Sequence, residues 1–346
     1  MQLHLRYSAS FTENMASHVE HNLSSQKLEK IIDIDILSNR SGSNEYARKL
    51  IVASSAVKTL GIPLKKFDVP RNETSRSTSY FKMSNTHASH LRTNGAGAWR
   101  SILFEVADKD KVVIFTVGTY NYIRIMNTFF NTAIKGQGIQ NFLFVALSSG
   151  MCNDESSVGA LDATARCFQY PVQFSSGGSY GSEEFAKVVQ IKSEILLSII
   201  REGYTALLTD ADIFYLKNPL PTLSRIASTR STDLVIQDDA GGGRNSGFMY
   251  VKPTSNSASF LSEVVSLQRK NPKMRQQVAV NQVLKSSHRL QVHVLPSSQW
   301  PCGVVFFQRE ARRMFPWHHR CESCLVVHNN WIVGDDAKEY RAKEFL

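Results

Sequence analysis

No stretch of this 346-residue chain approaches the roughly 18 consecutive apolar residues that a membrane span requires. Met1–Ser10 has no cationic segment followed by a hydrophobic one, so no signal peptide is visible. The expectation is a cytosolic protein, or a chain that lacks its targeting end and membrane anchor. A long basic tract with interleaved aromatics is also missing. The formal net charge is +10, yet its basic residues are dispersed, with Arg309, Arg312 and Arg313 the densest group. That dispersal argues against nucleic acid as a partner. It leaves a basic field suited to phosphorylated small molecules or an acidic polymer.

Cysteine is scarce. Cys152, Cys167, Cys302, Cys321 and Cys324 are an odd number, so at least one thiol stays free if the others pair. The run His318-His319-Arg320-Cys321-Glu322-Ser323-Cys324, with His328 beyond, resembles half of a zinc site. The second ligand pair that usually closes a structural site is absent. A disulfide or inert thiols is the reading preferred here.

What is present fits a globular enzyme. At 42% hydrophobic and 10% aromatic, the chain can bury one large core or two modest ones. Residues 1–98 are rich in Ser, Thr and Asn, with one credible helix from Asn44 to about Leu60 and a polar stretch from Arg71 to Gly97. This composition reads as a low-complexity, stem-like region. Three N-x-S/T sequons lie in it, at Asn22, Asn39 and Asn72, and none lies downstream, which leans toward a lumenal location.

From Trp99 to the end, strands and helices alternate. Lys111–Val117, Asn141–Leu147 and Ala165–Phe168 read as strands, and Tyr120–Lys135 as a helix. Ser182–Arg201 is the best helix, with Ser182 as cap, Glu183 and Glu184 at its positive end and Gly203 at its exit. Further strands are expected at Leu234–Gln237, Phe248–Lys252, Val292–Leu295 and Leu325–His328. Helices are expected at Ala258–Arg269 and Met274–Leu284. This alternation predicts an α/β fold with a mostly parallel sheet flanked by helices.

One motif stands out. Tyr204–Thr209 is an apolar run that climbs to Asp210-Ala211-Asp212, and a second apolar run, Ile213–Leu216, follows at once. In extended backbone the carboxylates of Asp210 and Asp212 point the same way and can share one hard divalent cation. Burying two like charges costs too much unless something neutralises them. They also fall at the carboxyl end of a strand, where ligands of such sheets bind.

The order of the pieces resembles the nucleotide-diphospho-sugar transferase family, a group of plant and algal cell-wall glycosyltransferases with the GT-A fold that includes glycosyltransferase family 77. The matching stretches are Phe115–Tyr122, Asn141–Leu147, Lys192 on the long helix, and Gly203–Asp212 with Asn218-Pro219. Asn245–Pro253, Asn281-Gln282 and His328–Gly334 follow. The resemblance covers about Val112 to Leu346. It implies that Asp210 and Asp212 hold Mn2+ or Mg2+, which carries the diphosphate of a nucleotide sugar such as a UDP-sugar, and that His328 is a further metal or phosphate ligand.

The same resemblance puts the nucleoside at the end of the first strand, with Thr116, Thr119 and Asn121 as candidates, and gives Lys192 a phosphate contact. Lys192 also reads as a plain surface lysine. It further implies a glycan or glycoprotein acceptor and a Golgi setting. Family members often carry an acidic residue where this chain has Gln276-Gln277. The acid near the sugar is then expected from Asp238 or Asp239, before Gly241-Gly242-Gly243, although a solvated loop fits those residues too. Asn245-Ser246-Gly247 is either a sugar contact or a turn into the next strand.

Two other classes fit some of these residues. A haloacid-dehalogenase-like phosphatase would use Asp210 as nucleophile and Asp212 as general acid, with Asp335-Asp336 as its last acidic motif. That fold opens on this motif, which sits late in the chain here. A degenerate transferase acting as a carbohydrate-binding module is the second.

Overall fold

The computed structural model describes residues 96–345 apart from 155–164, 172–173, 175–177, 179–180, 241 and 311–320. Residues 1–95 of the stem-like region, with its expected helix and its three sequons, therefore lie outside the described residues, and 96–98 open the first helix.

A seven-stranded sheet organises the chain, in the order β3-β2-β1-β4-β7-β6-β8. Its strands are β1 Val112–Gly118, β2 Phe142–Ala146, β3 Arg166–Gln169, β4 Thr205–Thr209, β6 Leu234–Asp238, β7 Arg244–Val251 and β8 Val292–Leu295. β7 runs antiparallel to both neighbours and every other pair is parallel. This is the mostly parallel sheet flanked by helices that the sequence predicts.

Period-2 alternation divides its side chains between two layers. Val113, Phe115, Ala206 and Leu208 pack on one face against the long helix α3 (Glu183–Arg201) and against α5 (Ser255–Lys270) and α6 (Gln276–Ser286). The α1 helix (Ala96–Val106) joins that layer through Trp99 and Leu103. Val112, Ile114 and Leu207 face the other side, where they meet α2 (Ile123–Phe129), its π-helical continuation Phe130–Lys135 and α4 (Leu220–Thr229).

Helix α3 starts as expected: the Ser182 side chain accepts from the Phe185 backbone N–H, and Gly203 takes φ 84° just past the end. Thirteen of its residues are buried, among them the charged pair Lys192 and Glu194. Glu194 receives two hydrogen bonds from Arg269, at 2.9 and 3.0 Å.

A two-stranded antiparallel ribbon sits apart from the main sheet. It joins β5 (Ile213–Tyr215) to β9 (Val326–His328) in the register Ile213↔His328. Asn329 N–H donates to Asp212 O at 2.8 Å and extends the pairing. This ribbon brings a distant histidine beside the aspartate pair. The last helix, α7 (Asp335–Phe345), follows.

Two disulfides join Cys152 to Cys167 and Cys321 to Cys324, and Cys302 is free and buried. The half zinc site is thus a disulfide, as preferred from the sequence. Among the described residues no helix is long and apolar enough to cross a membrane.

Candidate functional site

Strand β4 ends at Thr209, and its backbone delivers Asp210 to the carboxyl edge of the sheet. The strand does not stop there by chance. Asp210 N–H donates to Gly247 O at 2.7 Å, which continues the β4–β7 pairing one residue further. Opposite, the β6–β7 register shifts at Ile236/Gln237, so that Ile236 faces Met249 while Gln237 faces Asn245. The intervening residues of β7 bulge toward the site. Asn245-Ser246-Gly247 therefore lies inside a strand, as a bulge, and the turn reading is corrected: Phe248–Lys252 was too short because these small polar residues carry turn chemistry.

Gly247 is needed at the bulge. A Cβ there would collide with the Asp210 carboxylate and come within 2.7 Å of His328.

Asp210, Asp212 and His328 each offer one ligand atom, and these atoms lie within 4.8 Å of one another. Asp212 and His328 are buried, while the Asp210 side chain is one-third exposed. Each aspartate also has a lysine. Lys192 Nζ lies 2.6 Å from Asp210 Oδ1, and Lys338 Nζ lies 2.7 Å from Asp212 Oδ2. Burial by itself would raise the Asp212 carboxyl, but Lys338 and His328 outweigh it and hold the group below the usual carboxylate range. Lys338 is disfavoured as a cation by burial, yet Asp212 raises its pKa above the ordinary lysine value.

The histidine tautomer is set from behind. Gln237 uses its amide nitrogen to donate to Trp300 O and Pro301 O, at 3.0 and 3.2 Å. Its Oε1 is left to accept from His328 Nδ1 at 3.0 Å. Nε2, 3.2 Å from Asp212 Oδ1, is then the ring atom available to a metal. Two carboxylates and an imidazole, with the ring oriented by a second hydrogen bond, make a donor set suited to a divalent cation.

The other candidates are placed as follows. Thr116 lies within β1, buried, opposite Phe144. Thr119 follows the end of β1, fully buried, with an Oγ1 that has no hydrogen-bond partner. Asn121 is exposed on the one-turn helix Tyr120–Tyr122.

Asp238 is not brought to the aspartate pair. It forms an ion pair with Arg244 at 2.7 Å across the hairpin. Asp239 is buried and accepts from Gln277 at 2.9 Å, from Trp331 Nε1 at 3.0 Å and from Asn330 at 3.5 Å. Gln277 is thus the neutral partner of an acid that directly follows β6. Asn245 is buried, accepts from Gly247 N–H at 2.8 Å and leaves Nδ2 unpartnered.

Asp336, in the motif a phosphatase would use, is exposed and pairs with Arg124 at 2.7 Å. Asp210 follows the fourth strand rather than the first, so the phosphatase reading keeps its strand-end aspartates but not its chain order or its last acidic motif. Sequence reasoning missed Lys338, Gln237 and Trp331. Gln237 follows an apolar run that reads as plain strand, and Lys338 is one of several charges on α7 with nothing to separate it from the others.

The model of the nucleotide-diphospho-sugar transferase family matches residues 138–342. The beta-arabinofuranosyltransferase RAY1 of Arabidopsis thaliana is 24% identical over 262 residues, which cover 68% of this chain and 47% of that protein. The UDP-D-xylose:L-fucose alpha-1,3-D-xylosyltransferase 3 of the same plant is 25% identical over 193 residues, 49% of each chain. The chain spans about half the length of these curated relatives. Among solved structures, the glycosyltransferase GlyE of Streptococcus pneumoniae TIGR4 aligns with a TM-score of 0.43 at 13% identity, over 68% of this chain and 60% of that one.

Proposed function

Because this chain belongs to the nucleotide-diphospho-sugar transferase family, we propose that it is a metal-dependent glycosyltransferase, moving a sugar from a UDP-sugar to a glycan or glycoprotein. The observation that carries this reading is the convergence of Asp210, Asp212 and His328 at the carboxyl end of β4, with the histidine oriented by Gln237.

Asp210, Asp212 and His328 hold Mn2+ or Mg2+ in this reading. The bound cation supplies Lewis-acid charge to the leaving diphosphate. Lys192 and Lys338 already cancel the two carboxylate charges, so the charge of a divalent cation is left to balance a diphosphate. Thr119 and Asn121 flank the nucleoside at the end of β1, and the orphaned Thr119 hydroxyl is a hydrogen-bonding group in want of a ligand. Thr116, deeper in the strand, shapes the floor of that subsite. Asn245 and Asp239 lie on the other side of β4, where donor and acceptor sugars meet, with Asp238 supporting the hairpin through Arg244.

The catalytic domain is residues 99–346, with 1–98 as its stem. A lumenal setting such as the Golgi fits the two disulfides, which persist in oxidising compartments.

The test is a panel of UDP- and GDP-sugars scored for hydrolysis with Mn2+, with Mg2+ and with EDTA. The expected result is turnover of at least one UDP-sugar that EDTA abolishes. Turnover that survives EDTA, or none with any donor, would overturn the proposal.

A further inference from the structure

The turn that leaves β9 presents an aromatic ring in an unusual way. Trp331 is 51% exposed and its backbone sits at φ 61°, a left-handed conformation that costs a bulky residue energy. The turn is nevertheless pinned. Asn329 donates to Asp212 O at 2.8 Å through its backbone and to Lys338 O at 3.0 Å through its side chain. Asn330 Oδ1 accepts from Gly303 N–H at 2.6 Å. The indole Nε1 itself donates to buried Asp239 at 3.0 Å. A surface tryptophan that merely tolerates solvent has no need of such a frame. Here strain and four hydrogen bonds fix a broad ring face that water still reaches.

We propose that Trp331 is the stacking wall of a subsite for the acceptor sugar, with the Asp239 carboxylate as its polar edge. A saccharide ring has an apolar C–H face, which packs on an indole, and a rim of hydroxyls, which donate to a carboxylate. Both halves of that surface are supplied here by two residues in mutual contact.

The position favours the acceptor over the donor, and this part rests on the transferase reading above. Across the sheet, β1 leads to the nucleoside candidates, β4 leads to the metal carboxylates, β7 carries the bulge and β6 leads into Asp239. Adjacent strands are about 4.8 Å apart, so β6 lies about 10 Å from β4. Trp331 follows His328 by three residues, a reach of at most about 10 Å. The space between belongs to the transferred sugar, beside Asn245 with its unpartnered Nδ2. Trp331 and Asp239 stand one ring further out, where the attacking sugar has to lie. Two rungs link the strands: Gln237 holds His328, and Asp239 holds Trp331. The metal ligand and the acceptor wall are thereby set in register by a single strand end.

The test is a binding titration of the full chain, loaded with UDP and Mn2+, against methyl glycosides of L-fucose, L-arabinose, D-galactose and D-xylose, followed by NMR. Wild type should bind at least one of them. Trp331→Ala should weaken that binding about tenfold or more, while Trp331→Phe, which keeps an aromatic face, stays within about threefold. UDP and Mn2+ should stabilise both variants as they do wild type, which also shows that they fold. Unchanged glycoside affinity in Trp331→Ala, no glycoside binding by wild type, or a parallel loss of UDP affinity would each overturn the proposal. A protein that binds a glycoside through Trp331 but no nucleotide would sink the transferase reading alone.

Discussion

Asp210 and Asp212 share a place in the sequence motif but not an environment. Asp210 is partly open and keeps Oδ2 toward Gly247, whereas Asp212 is buried between His328 and Lys338. Two predictions follow from that difference at the scale of single residues. Gly247→Ala places a methyl group against the Asp210 carboxylate and His328, so the ligand atoms must move apart. UDP affinity in Mn2+ should fall about tenfold or more while UDP affinity in EDTA stays the same, as measured by calorimetry. Equal affinities in Mn2+ would show that the bulge has room to yield.

The second prediction concerns acid. Asp212 is held below the unfolded value of about 3.9, so the unfolded chain takes up its proton first as pH falls. Its contribution to stability is complete above the unfolded value and is lost progressively below it. In urea titrations of metal-free protein from about pH 6 to 2, wild type should lose stability more steeply than Asp212→Asn. Parallel curves would mean that the ion pairs around Asp212 do not persist in solution.

At the scale of elements, the sequence was most legible where burial dominates. β1, β2 and β4 are short apolar runs bounded by polar residues, and α3 carries a cap, an acidic first turn and a terminal glycine. The start of β7 was not legible, because Arg244-Asn245-Ser246-Gly247 becomes strand only through pairing across a bulge. β5 has three residues, too few for any periodicity, and α7 mixes charges around all its faces. The site divides in the same way. The aspartate pair is contiguous and could be read directly, whereas the partners from β6 and α7 arrive by tertiary packing alone.

The Cys152–Cys167 bridge belongs to this scale too, since it ties the turn after β2 to β3. With its cysteines 15 apart in sequence, removing it as the Cys152→Ala, Cys167→Ala double variant should cost about 3 kcal/mol. Denaturant midpoints measured without reductant check this. A change under about 0.5 kcal/mol would show that the loop is already constrained.

For the molecule as a whole, the fold concentrates opposite charges at one edge of the sheet. Helices α3 and α7 approach from separate parts of the chain and each sends one lysine to one aspartate. The net charge of +10 is dispersed along the sequence and adds a general attraction for phosphorylated ligands. The central claim is that a divalent cation on Asp210, Asp212 and His328 carries a nucleotide diphosphate. Thermal unfolding with UDP, in Mn2+ and in EDTA, tests it most directly when wild type is run beside Asp210→Asn and Asp212→Asn. At a UDP concentration near 100 times its dissociation constant, wild type should gain about 2.7 kcal/mol in Mn2+ and far less in EDTA. Both variants should fold and show no metal-dependent gain. A wild-type gain equal in EDTA, or one that survives in both variants, would contradict the account.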